Sequence, residues 1–270
     1  METLNKSHFS ERFDALARVY GEQGLKRLAE AHLCVVGIGG VGSWVAESLA
    51  RSAVGQITLI DGDVVARSNT NRQIHTLEQT LGRPKVEVMR ERILQINPAC
   101  RCSALQIQLD HNNRREILER GYDCVVDAID GVNAKAGMIY HCRRNKIKIV
   151  STGGAGGLLD PTQVTISDLA KTRNDPLAAK VRSELRRNYN FSRNSKRNFG
   201  VPCVYSTEQQ RYPSTEGEVS FCKPGVPGLS LDCAFGYGSS VAVTATVAQA
   251  ACFKAIALTL KGTSKNALFQ

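Results

Sequence analysis

Two rhythms of apolar residues run through the first part of this 270-residue chain. Short runs, HLCVVGI (32–38), QITLID (56–61), CSALQIQL (102–109), YDCVVDAID (122–130) and IKIVSTGGAGG (147–157), read as strands; HLCVVGI, continuously apolar and ending in glycines, fits a strand buried on both faces. Between them lie helical stretches. One covers 43–53, one runs from Gly82 and stops at Asn97-Pro98, one covers 112–121 with a glycine stop, and one covers 133–146. Strands that alternate with helices over about 120 residues predict right-handed βαβ crossovers and a parallel sheet. Ahead of this, Phe13, Leu16, Val19, Leu25 and Leu28 recur at helical spacing and predict two short helices broken at YGEQG.

The rhythm then changes. PTQVTISDL (161–169) and VPCVYSTEQ (201–209) read as strands, and the stretch 178–200 between them reads as half helix, half loop. A Pro/Gly-rich run, KPGVPGLSLD, precedes a last apolar segment at 239–260. That segment is long enough to span a bilayer. Gln249 and Lys254 near its middle are costly in lipid, so it reads as a core or dimer-interface helix with no stable membrane insertion. The fold class expected is α/β: a Rossmann-like, mainly parallel sheet with flanking helices, then extension strands and an apolar C-terminal helix. One domain over 1–270 is expected, with a nucleotide-binding core at 10–165, a basic crossover and substrate-binding region at 166–232, and the apolar helix at 233–262.

Composition narrows the chemistry. Apolar residues make up 42% of the chain, enough for a sizeable core. The N-terminus is polar and amphipathic and does not read as a signal peptide. The nine cysteines are odd in number and mostly sit in apolar patterns, which suggests a reduced, cytoplasmic chain. No Cys-x-x-Cys occurs; Cys100 and Cys102 are too close for a usual zinc spacing and read as strand residues. The formal charge of +10 suits a polyanionic partner and also suits a protein that is merely basic.

GIGGVGS, between a strand and a helix, carries the strongest motif. Gly37 permits the tight bend, Gly39 lets backbone approach a phosphate, and Gly42 lets the helix pack on the strand, with Gly40 beside them. The helix N-terminus attracts anions, and Ser43 can add a hydroxyl. Asp61 ends the second strand, where an acid can accept from ribose hydroxyls. These features indicate an adenine nucleotide without saying which one. Asp63, Asn69, Asn71, Arg72 and Gln73 follow Asp61, Lys85 opens the next helix, and Asp127 and Asp130 lie at a strand's C-terminal end. Ligands of open α/β sheets bind at such ends. Arg and Lys aimed at phosphates, with a carboxylate for a metal, fit adenylyl transfer and not hydride transfer to NAD(P).

The combination of GxGGxGS, IDGDVV, NTNRQ, GRPK and DAIDG resembles the ubiquitin-activating-enzyme-like adenylating family, over about residues 10 to 165. ERFDALARVYGEQGLKRL and GVGSWVAESLARSAVG are most similar to its branch that dehydrates threonylcarbamoyladenosine in tRNA. The resemblance implies that Gly37, Gly39, Gly40, Gly42, Ser43, Asp61, Asp63, Asn69, Arg72, Gln73, Lys85 and Asp127 bind ATP. It implies that Arg72 and Lys85 stabilise the transition state and that Asp130 binds Mg2+. The implied reaction activates the threonyl carboxylate at position 37, in the tRNA anticodon loop, and closes it to a cyclic product. The alternative is adenylation of the C-terminus of a ubiquitin-like or sulfur-carrier protein, against which stands the lack of the zinc-binding Cys-x-x-Cys pairs those activators carry. A homodimer is implied, cysteine-desulfurase or sulfur-acceptor partners are admitted, and an arginine donated across the dimer, Arg12 or Arg18, is left open because the usual Arg-Tyr-x-Arg-Gln run is absent. Arg182, Arg186, Arg187, Arg193, Lys196 and Arg197, with Lys180, face one acid, Glu184, in a segment interleaved with Tyr189, Phe191 and Phe199. Given the resemblance, that composition suits RNA phosphates and unstacked bases. Cys203 occupies the region where thioester-forming relatives keep their acceptor; it reads as a buried strand cysteine.

Overall fold

The computed structural model describes residues 2–214, 218–221 and 238–261. Cys222, Cys233 and the run KPGVPGLSLD lie outside the described residues. Five parallel strands follow the predicted alternation: β1 (His32–Val36), β2 (Gln56–Ile60), β3 (Arg101–Leu105), β4 (Cys124–Asp127) and β5 (Ile149–Thr152). They are joined by α2 (Gly42–Arg51), α3 (Lys85–Ile96), α4 (Arg114–Leu118) and α5 (Val132–Arg144). The N-terminal segment is α1 (Glu2–Glu30), broken by non-helical Gly21 at φ 73°, within the predicted YGEQG break.

β6 (Val164–Asp168), α6 (Pro176–Asn188) and β7 (Pro202–Ser206) extend the same sheet. β7 pairs parallel with β5, and β6 lies outside it as an antiparallel edge, so the order is β3-β2-β1-β4-β5-β7-β6. A two-stranded hairpin, β8 (Tyr212–Pro213) with β9 (Val219–Ser220), has no counterpart in the sequence expectation. The chain then enters α7 (Val241–Leu260), whose N-cap Ser240 accepts from Ala242 N.

Strand alternation divides the core into two layers. Leu33, Val35, Ile57, Leu59, Val126 and Val150 face α2, α3 and α7. Cys34, Val36, Ile60, Val125 and Ile149 face α4, α5 and α6. Among the described residues α7 is the one helix long and apolar enough to cross a membrane by length and composition. Here it packs on the sheet, burying Val243, Val247, Ile256 and Leu260, each worth about 1.5–3 kcal/mol in the fold. Phe253, 57% exposed, lies on its outer side, and Val241 is exposed at its first position.

Because β2 and β4 flank β1 on opposite sides, the connections leaving β1 and β4 diverge. They open a crevice above the C-terminal ends of these strands.

Candidate active site

The crevice is a cavity of about 990 Å3. Its floor is the turn after β1. Gly37 has φ +88°, a region that favours glycine, and its N–H donates to Ile60 O at 2.8 Å. A methyl group on Gly42 would lie 1.7 Å from Gly37 O, so α2 closes directly onto the turn. Gly39 and Gly40 line the cavity with backbone, and the bare Gly40 leaves room for the stem of Arg72.

Asp61 pins this turn to β2. One carboxylate oxygen accepts from Ile38 N at 2.6 Å, the other from Asp63 N at 2.8 Å. Asp63 in turn holds Lys85. Lys85 Nζ donates to Asp63 Oδ2 at 2.9 Å, Gln108 Nε2 donates to its other oxygen at 3.1 Å, and Lys85 N bonds Asp63 O. The ammonium of Lys85 is almost wholly buried at the cavity wall. Asn69 Oδ1 accepts from Ala66 N, fixing the 66–73 loop, and Trp44 Nε1 holds Arg72 O at 3.0 Å. Arg72 Nη1 rests on Ser68 O and Asn71 Oδ1. Asn71 also donates to Ser239 O, tying this loop to the start of α7. His75, buried behind Lys85, is lowered to about 4 by burial and by the Lys85 and Arg92 charges, so it is neutral at physiological pH.

The cavity thus brings together Gly37, Gly39, Gly40, Asp61, Asp63 and Asn69 with Arg72, Gln73, Lys85 and Asp130. Three expected ligands lie elsewhere. Gly42 acts by its contact with Gly37 O, beneath the cavity. Ser43 is fully buried and its Oγ has no hydrogen-bond partner among the described residues; the close fit of α2 on the turn leaves it on the helix's inward side. Asp127 is 0% exposed, because it shares the strand face of Val125, which looks at α5. There Lys135 Nζ donates to Asp127 Oδ1 at 2.9 Å and to Ile129 O at 2.8 Å, and Ser151 Oγ donates to Asp127 Oδ2 at 2.7 Å. Burial raises this carboxyl, and Lys135 opposes the rise. The Asp127–Lys135 pair is a brace under the 128–131 turn, which leaves Asp130 exposed at the cavity with no partner among the described residues.

Two residues were not singled out from sequence. Lys135, 1% exposed, looked like any lysine on a helix. Asp175, 6% exposed, lines the cavity where α6 begins. Its carboxylate accepts from Ala178 N at 2.8 Å and from Gly154 N at 3.0 Å, joining the glycine run after β5 to α6. Burial raises its carboxyl, and these backbone donors oppose the shift. Asp175-Pro176 is a readable helix-start signal, N-cap followed by proline at N1.

The basic segment is split by the fold. Arg187, Arg193, Lys196 and Arg197 are exposed, while Arg182 and Arg186 are half-buried. Its aromatic rings point inward, against the expectation of base stacking: Tyr189 packs on Tyr140 at 4.8 Å and Phe191 on buried Phe199 at 4.9 Å. Amphipathic α6 buries Val181 and Leu185 and turns Lys180 and Arg187 to solvent, and Phe191 and Phe199 after it pack on the same layer. Cys203 is fully buried in β7, and burial pushes its thiol far above the range of a reactive one. Arg12 donates to Ile96 O, and neither it nor Arg18 lines the cavity.

The arrangement offers a nucleotide-sized cavity with a glycine turn at a helix end, lined by the cations of Arg72 and Lys85 and by the free carboxylate of Asp130. The model of the ThiF family matches residues 12–269. A tRNA threonylcarbamoyladenosine dehydratase of Escherichia coli strain K12 is 51% identical over 247 residues, covering 91% of this chain and 92% of that protein. The solved structure of the E. coli tRNA N6-threonylcarbamoyladenosine dehydratase in complex with ATP superposes with a TM-score of 0.83 at 47% identity, covering 93% of this chain and 95% of that one. The same enzyme in complex with AMP gives 0.82 at 46%, with the same coverage.

Proposed function

The chain belongs to the ThiF family, and on that premise we propose that it is an ATP-dependent dehydratase of threonylcarbamoyladenosine at position 37 of tRNA, acting as one adenylation domain over 1–270. The observation that carries the reading is the convergence of Arg72 and Lys85 on a glycine-turn cavity, in a chain 51% identical to a dehydratase of that name. Hydride transfer does not need cations aimed at a triphosphate; adenylyl transfer does.

In this reading the threonyl carboxylate attacks the α-phosphorus of ATP and pyrophosphate leaves. Arg72 and Lys85 neutralise the charge that develops on the phosphates. Lys85 arrives held by Asp63, which keeps its ammonium at the wall without an unpaired buried charge. The carbamoyl group of the same nucleoside then closes on the acyl-adenylate carbonyl, loses a proton and expels AMP. Ring closure is intramolecular and needs no enzyme nucleophile, in keeping with the inert Cys203. Asp130, a free hard-oxygen donor facing the phosphate region, fits a Mg2+ ion held by one carboxylate and substrate phosphates. When bound, that ion supplies charge neutralisation on the phosphates.

We place the enzyme in the cytoplasm as a homodimer; the exposed Phe253 on the outer side of α7 supports the dimer, and a monomer by light scattering at micromolar concentration would contradict it. The reading fails if tRNA nucleosides from a deletion strain keep their cyclic threonylcarbamoyladenosine, as measured by mass spectrometry. It also fails if pyrophosphate release by the pure enzyme responds to a sulfur-carrier tail and not to tRNA.

A further inference from the structure

Helix α6 presents two adjoining stripes. Pro176, Leu177 and Lys180 face the nucleotide cavity. Ala179, Arg182, Ser183 and Arg186 recur at i, i+3, i+4 and i+7 on the next stripe and, with Arg187 and Arg193, line a separate open groove of about 400 Å3.

Four guanidinium groups converge there with little to balance them. Arg187 pairs with Glu184 at 2.6 Å. Arg186 donates to Ser192 O and lies over the Phe199 ring at 5.4 Å, contacts that hold it in place without cancelling its charge. Arg182 bonds the Thr172 hydroxyl, and burial followed by the neighbouring Arg186 charge lowers its pKa. Among the described residues no hydrogen bond or ion pair holds the Arg193 side chain, which is exposed beside Lys196 and Arg197. Crowding like charges costs free energy that a bound polyanion recovers, and planar guanidinium forks match phosphate oxygens in pairs.

We propose that this arginine groove is a phosphodiester subsite. It holds the backbone of the substrate RNA next to the nucleoside that enters the cavity, and α6 sets the distance between the two. From Lys180 at the cavity to Arg187 is seven residues, about 10 Å of helix at roughly 1.5 Å per residue. The proposal rests on the reading of RNA as substrate. Because the neighbouring aromatic rings are turned into the core, the groove grips phosphate and does not read bases; it fixes register while the cavity supplies selectivity for the modified nucleoside. An acidic protein partner is the competing occupant.

The test uses the full-length enzyme and the double variant Arg187→Gln/Arg193→Gln, which spares the partly buried Arg182 and the Phe199-packed Arg186. Arg115→Gln, at an exposed side chain of α4, serves as a control for losing a surface arginine outside the groove. A labelled tRNA transcript is titrated from about 50 to about 200 mM salt. With about 0.7 counterions released per single-strand phosphate contact, losing two contacts lowers the salt slope by about 1.4, so the variant's defect shrinks about sevenfold over that range. The RNA KM rises, while kcat at saturating RNA and the ATP-induced rise in Tm stay at wild-type values. An unchanged salt slope overturns the subsite, as does an equal loss in Arg115→Gln. Displacement of a labelled polyglutamate probe, with RNA binding unaffected, assigns the groove to a protein and overturns it too. A wild-type enzyme that never converts threonylcarbamoylated tRNA overturns the proposed function instead. Conversion by wild type with an unaltered double variant overturns the groove alone.

Discussion

Lys135→Met isolates the brace beneath the candidate site. The substitution keeps the length of the side chain and removes one charge from a pair in which both partners are wholly buried. Asp127 is left with Ser151 Oγ and Ile129 N, and Ile129 O loses its donor. Breaking a buried pair from one side costs about 3–5 kcal/mol. For a chain of this size each kcal/mol moves Tm by roughly 2–4 °C, so the loss is about 6–20 °C. The pH dependence has a definite sign. Burial already raises the Asp127 carboxyl, and the Lys135 ammonium opposes that rise more strongly than any other neighbour, so its removal lifts the folded-state value further above the unfolded one. A carboxyl raised by folding favours the protonated native state, a contribution present at low pH and lost as pH climbs through the folded value. The deficit of Lys135→Met relative to wild type therefore narrows as pH falls. Asp127→Asn/Lys135→Met, which removes both charges, recovers most of the loss, because a neutral replacement avoids the desolvated lone ion. Urea unfolding of the three proteins at pH 5 and pH 8 measures all of this. A single variant within about 1 kcal/mol of wild type, against the expected 3–5, or a double variant no more stable than the single, would refute the reasoning.

Arg72→Ala and Lys85→Ala each lower kcat by about 10²-fold or more, the scale for electrostatic groups acting on a transition state, with the native fold retained and Tm little changed for the partly exposed Arg72; retention of more than about a tenth of the wild-type rate in either would show the site misplaced. Gly42→Ala puts a methyl group 1.7 Å from Gly37 O and 3.3 Å from the Ala128 Cβ, with nothing flexible to yield. It should lose the ATP-induced rise in Tm along with a large part of its stability, and an unchanged thermal shift with ATP contradicts the close packing of α2 on the turn. Cys203→Ala, at a thiol that burial keeps protonated, should keep kcat within a few-fold; a loss beyond about 10-fold without unfolding would bring back a covalent intermediate.

Residues whose chemistry follows from local chain geometry were readable in the sequence, and those that depend on which face a strand shows were not. Gly37, with its positive φ, and the capless start of α2 are local: a strand, a turn and a helix within a dozen residues dictate them. Arg72 and Lys85 required only that strand ends converge, which any parallel sheet enforces. Asp127 and Asp130 looked alike in DAID, yet their places on either side of the end of β4 separate a buried brace from an open carboxylate. The turn after the strand frees Asp130, while the pleat commits Asp127 to the α5 side. The partner that makes this burial tolerable, Lys135, is recognisable only once α5 is laid over β4. The basic segment follows the same logic. Its charges were visible in composition, but the direction of Tyr189, Phe191 and Phe199 was decided by the hydrophobic layer under α6, which drew the rings inward and left the arginines at the surface groove.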